Sequence, residues 1–503
     1  MKRGLLVGMG LVLVGGVVTP VVTPVGVDPA AAVAGAAVPC DFDGDGYADL
    51  AAGVPFEDVR GVTDAGAVQV LYGSAAGVSA RDQLWHQGKK GVKGALEKGD
   101  RFGEVLACGD FDGDGSADLA VGMPYEDVGS VYRAGLVQVL YGGAAGLTAR
   151  DQVWHQGKPG VPGKNEKSDQ FGKSLVTGDF DDDGYADLAV GVPFEKVGSL
   201  SQAGWVLVLR GSPVGLTSAD AQSWQQGRGG VPSQPSAGEL FGNALAAGDV
   251  NGDGHADLAI GADRESDTPP EADDRGSGVH LLRGGSAGLT SVGGQYFQAA
   301  DLGMWPSSVF KLTFGDFNRD GRDDLVLGSD SATAVLHGHP DGLRPGLLPA
   351  AGTPGVDAVW PVGGADEDHG EVVAAGDLTG DGYPDLAVAA RVILGTEAGL
   401  GTTISDWAVR TTSDRRSPVD RDLYGDIAVL PFSGGSHAWL AVTTVVRPPE
   451  PEAAGAVTVL RGTATGNPGP ATVWSQDSPG IKGAADEGDS FGWSIGGGVG
   501  PIA

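Results

Sequence analysis

The sequence predicts an all-β protein: a seven-bladed β-propeller with four-stranded blades, its ring closed by a C-terminal strand that completes blade 1. Three observations predict it. A nine-residue acidic segment returns in phase, starting at Asp41, Asp110, Asp179, Asp249, Asp316 and Asp377. Short strand-like runs and Gly-rich turns keep that phase, four runs to a repeat. The last residues of the chain match the strand that the first repeat lacks.

The first acidic segment reads Asp41-Phe-Asp-Gly-Asp-Gly-Tyr-Ala-Asp49. Close copies end at Asp118, Asp187 and Asp257, and weaker ones at Asp324 and Asp385. A Phe-Gly pair stands eight positions ahead, at Phe102-Gly103, Phe171-Gly172 and Phe241-Gly242. An apolar run follows each loop and ends in Gly-x-Pro, at Gly53-Val-Pro55, Gly122-Met-Pro124 and Gly191-Val-Pro193. A further run (Val68 to Gly73, with counterparts at Val137 and Val206) precedes one that carries Trp85, Trp154 or Trp224. One such sheet cannot bury both of its faces alone, whereas repeats stacked around an axis can.

The first acidic loop has no Phe-Gly strand before it, yet the chain finishes Asp489-Ser-Phe491-Gly492-Trp-Ser-Ile-Gly. The terminal residues therefore supply the missing strand, closing a ring and removing open sheet edges. A seventh repeat runs from Tyr424 through Trp439 to Trp474 and has lost its loop aspartates. The expected blades lie near 41–90, 100–160, 169–230, 239–300, 307–345, 368–410 and 423–478, with the closing strand at 489–498, in a single propeller over 37–503.

Before that propeller, residues 1–36 read as an export signal: Lys2 and Arg3, an apolar run, then small residues with A-x-A cleavage options. The expected location is therefore secreted, extracellular or wall-associated, with no transmembrane span in the mature chain. The net charge of −32 argues against nucleic acid and anionic lipid as partners. The only two cysteines, Cys40 and Cys108, each sit just before an equivalent aspartate, which a propeller would place on neighbouring inner strands. A pair outside the cytoplasm is usually oxidised, but the sequence does not show whether these two approach closely enough.

The D-x-D-x-D-G-x-x-D spacing has its own chemistry. Positions 1, 3 and 5 of a tight loop turn their side chains onto one cation, Gly at 6 permits the sharp turn, position 7 offers a carbonyl, and the acid at 9 completes an oxygen cage that suits Ca²⁺. An EF-hand would need Glu at position 12, where the first loop has Ala52, and would be flanked by helices rather than strands. A metal-free hairpin would leave three or four carboxylates repelling one another.

Together, the Phe-Gly, Gly-x-Pro and acidic-loop elements make residues 40–503 resemble the FG-GAP repeats of integrin α-chain propellers and their bacterial relatives. The resemblance fades after the third repeat, where Phe-Gly becomes Ser308-Val309 and His369-Gly370. It implies up to six calcium sites. Carried over by position, the ligands are Asp41, Asp43, Asp45, the Tyr47 carbonyl and Asp49; then Asp110, Asp112, Asp114, the Ser116 carbonyl and Asp118. The third loop offers Asp179, Asp181, Asp183, the Tyr185 carbonyl and Asp187, and the fourth Asp249, Asn251, Asp253, the His255 carbonyl and Asp257. The fifth offers Asp316, Asn318, Asp320, the Arg322 carbonyl and Asp324, and the sixth Asp377, Thr379, Asp381, the Tyr383 carbonyl and Asp385.

Other features are absorbed by the repeat. The G-x-S-x-G match at Gly284 to Gly288 is the same turn as Gly142 to Gly146 and lacks the strand-to-helix context of a nucleophile elbow. Lys98-Gly99-Asp100 looks like an integrin-ligand tripeptide, but its acid recurs as Asp169, Glu239 and Asp489. Trp85, Trp154 and Trp224 read as packing residues before they read as a sugar platform. In integrin-like propellers, ligands meet the face away from the calcium loops. That face would carry Phe56, Tyr125 and Phe194 with Glu57, Glu126 and Glu195, for which a structural role is the first reading. The expected function is a binding or adhesion module for an extracellular protein or glycan, with no catalytic residues assigned. The alternatives are a hydrolase-associated or polysaccharide-active enzyme, whose cleft would use the divergent loops at 263–276 and 340–368, and a structural envelope protein.

Overall fold

A computed structural model of the chain describes residues 38–262 without interruption and, in shorter stretches, residues 277–496. The expected leader, residues 263–276, most of 346–371, and Ser308, His369 and Tyr424 with their neighbours lie outside the described residues.

The first blade shows why these residues form sheets. Leu50–Val54 and Ala67–Leu71 pair antiparallel and are buried at every position. Strands alternate their side chains between two faces, so continuous burial means that both faces are covered. Val68, Val70 and Tyr72 pack toward blade 2, against Leu106, Leu119 and Val121. Leu50, Ala52 and Val54 pack the other way, against Ala428, Leu430 and Val459 of blade 7. The outermost strand, Asp82–Trp85, is only partly covered and keeps polar residues.

Seven sheets repeat this plan. Blade 2 is Val105–Gly109, Asp118–Met123, Leu136–Leu140 and Asp151–Trp154; blade 3 is Ser174–Gly178, Asp187–Val192, Trp205–Arg210 and Thr217–Trp224. Blade 4 is Ala244–Gly248, Asp257–Ala262, Gly278–Arg283 and Thr290–Gln298. Blade 5 begins with Lys311–Gly315, Asp324–Gly328 and Ala332–His337, and its outer edge is shared by Arg344–Pro345 and Trp360–Pro361. Blade 6 is Val373–Gly376, Asp385–Val388, Arg391–Ile393 and Ile404–Asp406; blade 7 is Ile427–Leu430, Trp439–Thr444, Ala456–Arg461 and Ala471–Trp474. The apolar core is correspondingly divided, with one cluster between each pair of adjacent blades. The innermost strands touch in cyclic order from blade 1 to blade 7 and back to blade 1.

Closure is achieved as the chain ends imply. The innermost strand of blade 1 is Ile495–Gly496, pairing antiparallel through Ala52 with Ile495 and Ala51 with Gly496. Among the described residues it starts later than the expected 489, but the residues before it continue the attachment. Gly53 N donates to Ser494 O at 2.8 Å, and Gly492 N donates to Gly53 O at 2.8 Å. The segment at Gly284 to Gly288 is a turn between strands, so the esterase-like pattern has no helix behind it.

The signature glycines mark where blades touch. A Cβ on Gly53 would lie 2.1 Å from the carbonyl oxygen of Gly103 in blade 2, and one on Gly191 would lie 2.1 Å from Gly242 O in blade 4. The Gly-x-Pro glycine of one blade thus rests on the Phe-Gly glycine of the next, backbone on backbone. Gly53→Ala is expected to cost about 1–3 kcal/mol, since neither backbone has room to move; comparing urea midpoints of the variant and parent checks this.

Cys40 and Cys108 form a disulfide with their Cα atoms 5.2 Å apart. Cys108 lies on the inner strand of blade 2, as expected, but Cys40 lies in the turn entering the first acidic loop, because the C-terminal strand occupies the inner place of blade 1. The bridge closes a 68-residue separation beside that strand. The loop-entropy relation gives about 4 kcal/mol for such a closure. Cys40→Ser with Cys108→Ser is expected to lose a few kcal/mol by denaturant titration while keeping the β-sheet circular dichroism spectrum.

Candidate metal centre

Each acidic loop leads into the second strand of its blade, and each Gly-x-Pro turn leaves that strand's other end. The two sets of loops therefore occupy opposite faces of the ring. Glycines at position 6 adopt left-handed φ values, 88° at Gly46, Gly115, Gly184, Gly254 and Gly382 and 79° at Gly321, as the sharp turn requires.

Position 1 folds the loop. Asp41 Oδ1 accepts from Asp45 N at 3.1 Å, and its Oδ2 accepts from Gly46 N at 2.7 Å. Asp110, Asp179, Asp249, Asp316 and Asp377 accept from the corresponding amides. Position 5 accepts from the amide of position 7, as Asp45 does from Tyr47 at 3.0 Å and Asp114 from Ser116 at 2.9 Å. The result gathers acids. Ligand oxygens of Asp41, Asp43 and Asp45 all lie within 4.8 Å of one another, as do those of Asp110, Asp112 and Asp118, and those of Asp179, Asp181 and Asp183. Loops four to six carry Asn251, Asn318 and Thr379 at position 3, so each brings one acid fewer.

Position 9 does more than its spacing shows. Asp118 Oδ2 accepts from Phe111 N at 2.9 Å and its Oδ1 from Gly142 N at 2.9 Å, tying the loop to the far end of the next hairpin. Asp49, Asp257 and Asp385 span equivalent pairs of amides. Asp187 accepts from Gly211 N and from Arg210, and Asp324 accepts from Gly338 N. Burial, with added repulsion from neighbouring loop aspartates, pushes Asp49 and Asp118 up to about 8.

These residues fit a hard cation. Oxygens converge, burial and then neighbouring aspartates penalise the charge of Asp41, Asp49, Asp110, Asp118 and Asp181, and Asp112 Oδ1 and Asp181 Oδ1 are buried without a hydrogen-bond partner. Loops are also linked from blade to blade. Ala117 N donates to Asp41 O at 2.8 Å, Ala186 N to Asp110 O at 2.9 Å, and Ala256 N to Asp179 O at 2.9 Å.

Sequence reasoning missed the arginines of this face. Arg81 pairs with Asp43, stacks 4.0 Å over the Tyr72 ring and donates to Ala145 O of the next blade. Arg150 repeats the arrangement with Asp112, Tyr141 and Val214 O. In blade 3, Arg210 takes the place of the tyrosine and pairs with Asp181 and Asp187. The recurring Arg-Asp-Gln at Arg81 and Arg150, in phase with the loops, was the available signal.

On the opposite face the repeat-equivalent glutamates join neighbouring blades, in line with the structural role their repetition implies. Gln87 Nε2 donates to Glu126 Oε2 at 3.1 Å, Gln156 to Glu195 at 2.7 Å, and Gln476 to Glu57 at 2.5 Å, each from one blade to the next. Burial first, then the nearby Asp100, pushes Glu126 up to about 8. The folded chain therefore keeps this proton while the unfolded chain, with an ordinary glutamate, loses it, and stability falls as pH rises from about 4.5 through 8. Glu126→Gln is expected to match the parent at pH 4 and exceed it by about 1–2 kcal/mol at pH 9, measured by denaturant titration at both pH values. Asp100 of the Lys-Gly-Asp tripeptide is buried and accepts from Glu97 N at 2.8 Å, and Asp169, Glu239 and Asp489 make the same bond. Phe56 meets Trp493 edge to face at 5.4 Å, and Arg101 lies 4.6 Å over Phe56 and 4.4 Å over Tyr125.

Residues 33–71, 102–140, 171–209 and 241–282 match the FG-GAP repeat, and residues 316–388 match the FG-GAP-like repeat. The chain is a seven-bladed β-propeller that carries FG-GAP repeats and is similar to integrin α chains. The FG-GAP segments span the acidic loops and the strands beside them, which agrees with the blade plan above. Among curated relatives, integrin alpha-PS2 of Drosophila melanogaster is 34% identical over 230 residues, covering 44% of this chain and 14% of the integrin. Integrin alpha-8 of Mus musculus is 31% identical over 234 residues, covering 44% and 19%. Phosphatidylinositol-glycan-specific phospholipase D of Rattus norvegicus is 36% identical over 167 residues, covering 32% and 18%. The FG-GAP propeller thus spans less than a fifth of the length of each of these relatives. A solved lectin of Agrocybe aegerita aligns over 90% of this chain and 94% of its own at 14% identity, with a TM-score of 0.48. No helix among the described residues is long and apolar enough to cross a membrane.

Proposed function

We propose that this propeller is an exported, calcium-binding module that attaches to an extracellular protein or glycan. The observation that carries the calcium reading is the convergence of three carboxylates within 4.8 Å in each of the first three loops, with buried oxygens of Asp112 and Asp181 left unpartnered. The same ligand positions recur in loops four to six. Calcium in this reading is structural: it offsets the clustered charge and locks loops that are already hydrogen-bonded from blade to blade. The similarity to integrin α chains supports attachment rather than turnover. Export is supported by the leader-like residues 1–36 and by the disulfide.

The test is a binding screen of residues 40–503 against glycans, cell-wall polymers and matrix proteins, in calcium and after chelation, with products monitored. A ligand retained only in calcium and recovered intact supports the proposal. A consumed substrate supports the second reading, a propeller serving a hydrolase, which the phospholipase D similarity favours. No ligand under either condition contradicts both.

A further inference from the structure

The outer wall of the ring carries a recess of about 280 Å³ between blades 2 and 3, bounded by Trp154, Gln152, Lys158 and Ser218, with Lys93 entering from blade 1. The counterpart in blade 1 is closed. There Lys89 Nζ sits 3.5 Å over the Trp85 ring and donates to Leu84 O at 2.7 Å, and Trp85 is 3% exposed. In blade 2 the ring is partly exposed, its Nε1 is held by Gln152 Oε1 at 3.3 Å, and Lys158 makes no ion pair among the described residues. The difference traces to two substitutions. Pro159 stands where blade 1 has Lys90 and stiffens the turn. Ser218 stands where blade 2 has Ala149, and its Oγ donates to Pro159 O at 3.0 Å, pinning that turn to blade 3.

Basic groups meet at this recess although the chain bears −32 overall: Lys93 and Lys158 both line it. Asp151, the nearby acid, is already neutralised: Lys93 Nζ pairs with its Oδ1 at 2.7 Å, while Lys93 N and Gln138 Nε2 occupy its Oδ2. An indole face with ordered amide and hydroxyl groups suits a pyranose ring, and the unpaired Lys158 ammonium suits a carboxylate on it. The volume is just below the roughly 300 Å³ at which small-ligand pockets begin, enough for one sugar unit and not for a large ligand.

We infer that the recess at Trp154 and Lys158 binds a uronate unit of an acidic glycan. This rests on the reading of the chain as an attachment module and names one ligand class and one place for it. The experiment is calorimetric titration of calcium-loaded protein with trigalacturonate, and with a neutral galactose trisaccharide as control. Trigalacturonate is expected to bind with an affinity that falls as salt is raised. Lys158→Ala is expected to weaken it about tenfold or more, the loss of a charge-assisted contact. Trp154→Ala is expected to abolish binding, Trp154→Phe to retain most of it, and Trp85→Phe to leave it unchanged, with thermal melts confirming that each variant is folded. Unaltered binding by folded Lys158→Ala, or equal binding of the neutral trisaccharide, would overturn the inference. Absence of trigalacturonate binding while another ligand is captured in the screen overturns this site alone; absence of every ligand overturns the attachment reading as well.

Discussion

Chelating calcium from the purified protein is expected to lower its unfolding midpoint sharply, and restoring calcium to return it, with magnesium at equal concentration restoring little. A cation bound only by the folded chain stabilises it by about 2.7 kcal/mol per site when free calcium is a hundredfold above Kd. Four loops at that occupancy contribute about 11 kcal/mol, comparable to the whole stability of an ordinary domain. The loss should be cooperative around the ring, because position 1 of one loop accepts a hydrogen bond from position 8 of the next, as Asp41 O does from Ala117 N at 2.8 Å. Magnesium should be a poor substitute because it demands a stricter octahedron and keeps more of its water. Calorimetric scans in calcium, in chelator and in magnesium check this.

The second large effect separates two kinds of aspartate within one loop. Asp49→Ala is expected to destabilise the protein by about 2–5 kcal/mol whether or not calcium is present. The buried amides of Phe42 and Gly73 both lose their acceptor, and each unsatisfied group costs about 1–3 kcal/mol. Asp45→Ala removes an exposed side chain that gathers with Asp41 and Asp43 and whose structural bond is to Tyr47 N, within the loop itself. Its loss is expected to appear in calcium and to shrink to about 0.5–1 kcal/mol in chelator. Denaturant titrations of both variants in both conditions give four numbers. Equal calcium dependence in the two would contradict the division of labour described here.

Much of this was legible in the chain. The regular spacing of the acidic segments set the blade length, and the unmatched Asp489-Ser-Phe491-Gly492 at the end gave the closure that Ile495–Gly496 makes. The seventh blade was found despite lost aspartates, with Trp439 standing where the others have their position-9 acid. What escaped the reading lies between blades. Gln87 and Glu126 are 39 residues apart, and Gln476 and Glu57 are 419 apart. A repeat in sequence shows that such residues are equivalent, but which neighbour a side chain meets depends on the angle between sheets. Arg81 and Arg150 escaped for the same reason: each reaches back to its own loop and forward to the next blade. Cys40 was assigned to an inner strand by analogy with Cys108, and that failed at the one blade whose inner strand comes from the other end of the chain.

The double role of position 9 was hidden by its regularity. Spacing presents Asp49 and its equivalents as a fifth ligand, whereas the structure shows Asp49, Asp118, Asp257 and Asp385 each accepting from two backbone amides, Asp187 from Gly211 N and Arg210, and Asp324 from Gly338 N. The acid would be needed there even without a cation, so its presence alone does not argue for one. Position 5 carries that argument, since its bond stays within the loop, whereas position 3 also pairs with an arginine in the first three loops.

Calcium stoichiometry tests the central claim most directly. Equilibrium dialysis of the chelated and re-equilibrated protein against labelled calcium is predicted to give about four to six ions per chain, falling by about one in Asp45→Ala. No bound calcium at millimolar free concentration, or a stoichiometry that Asp45→Ala leaves unchanged, would contradict it.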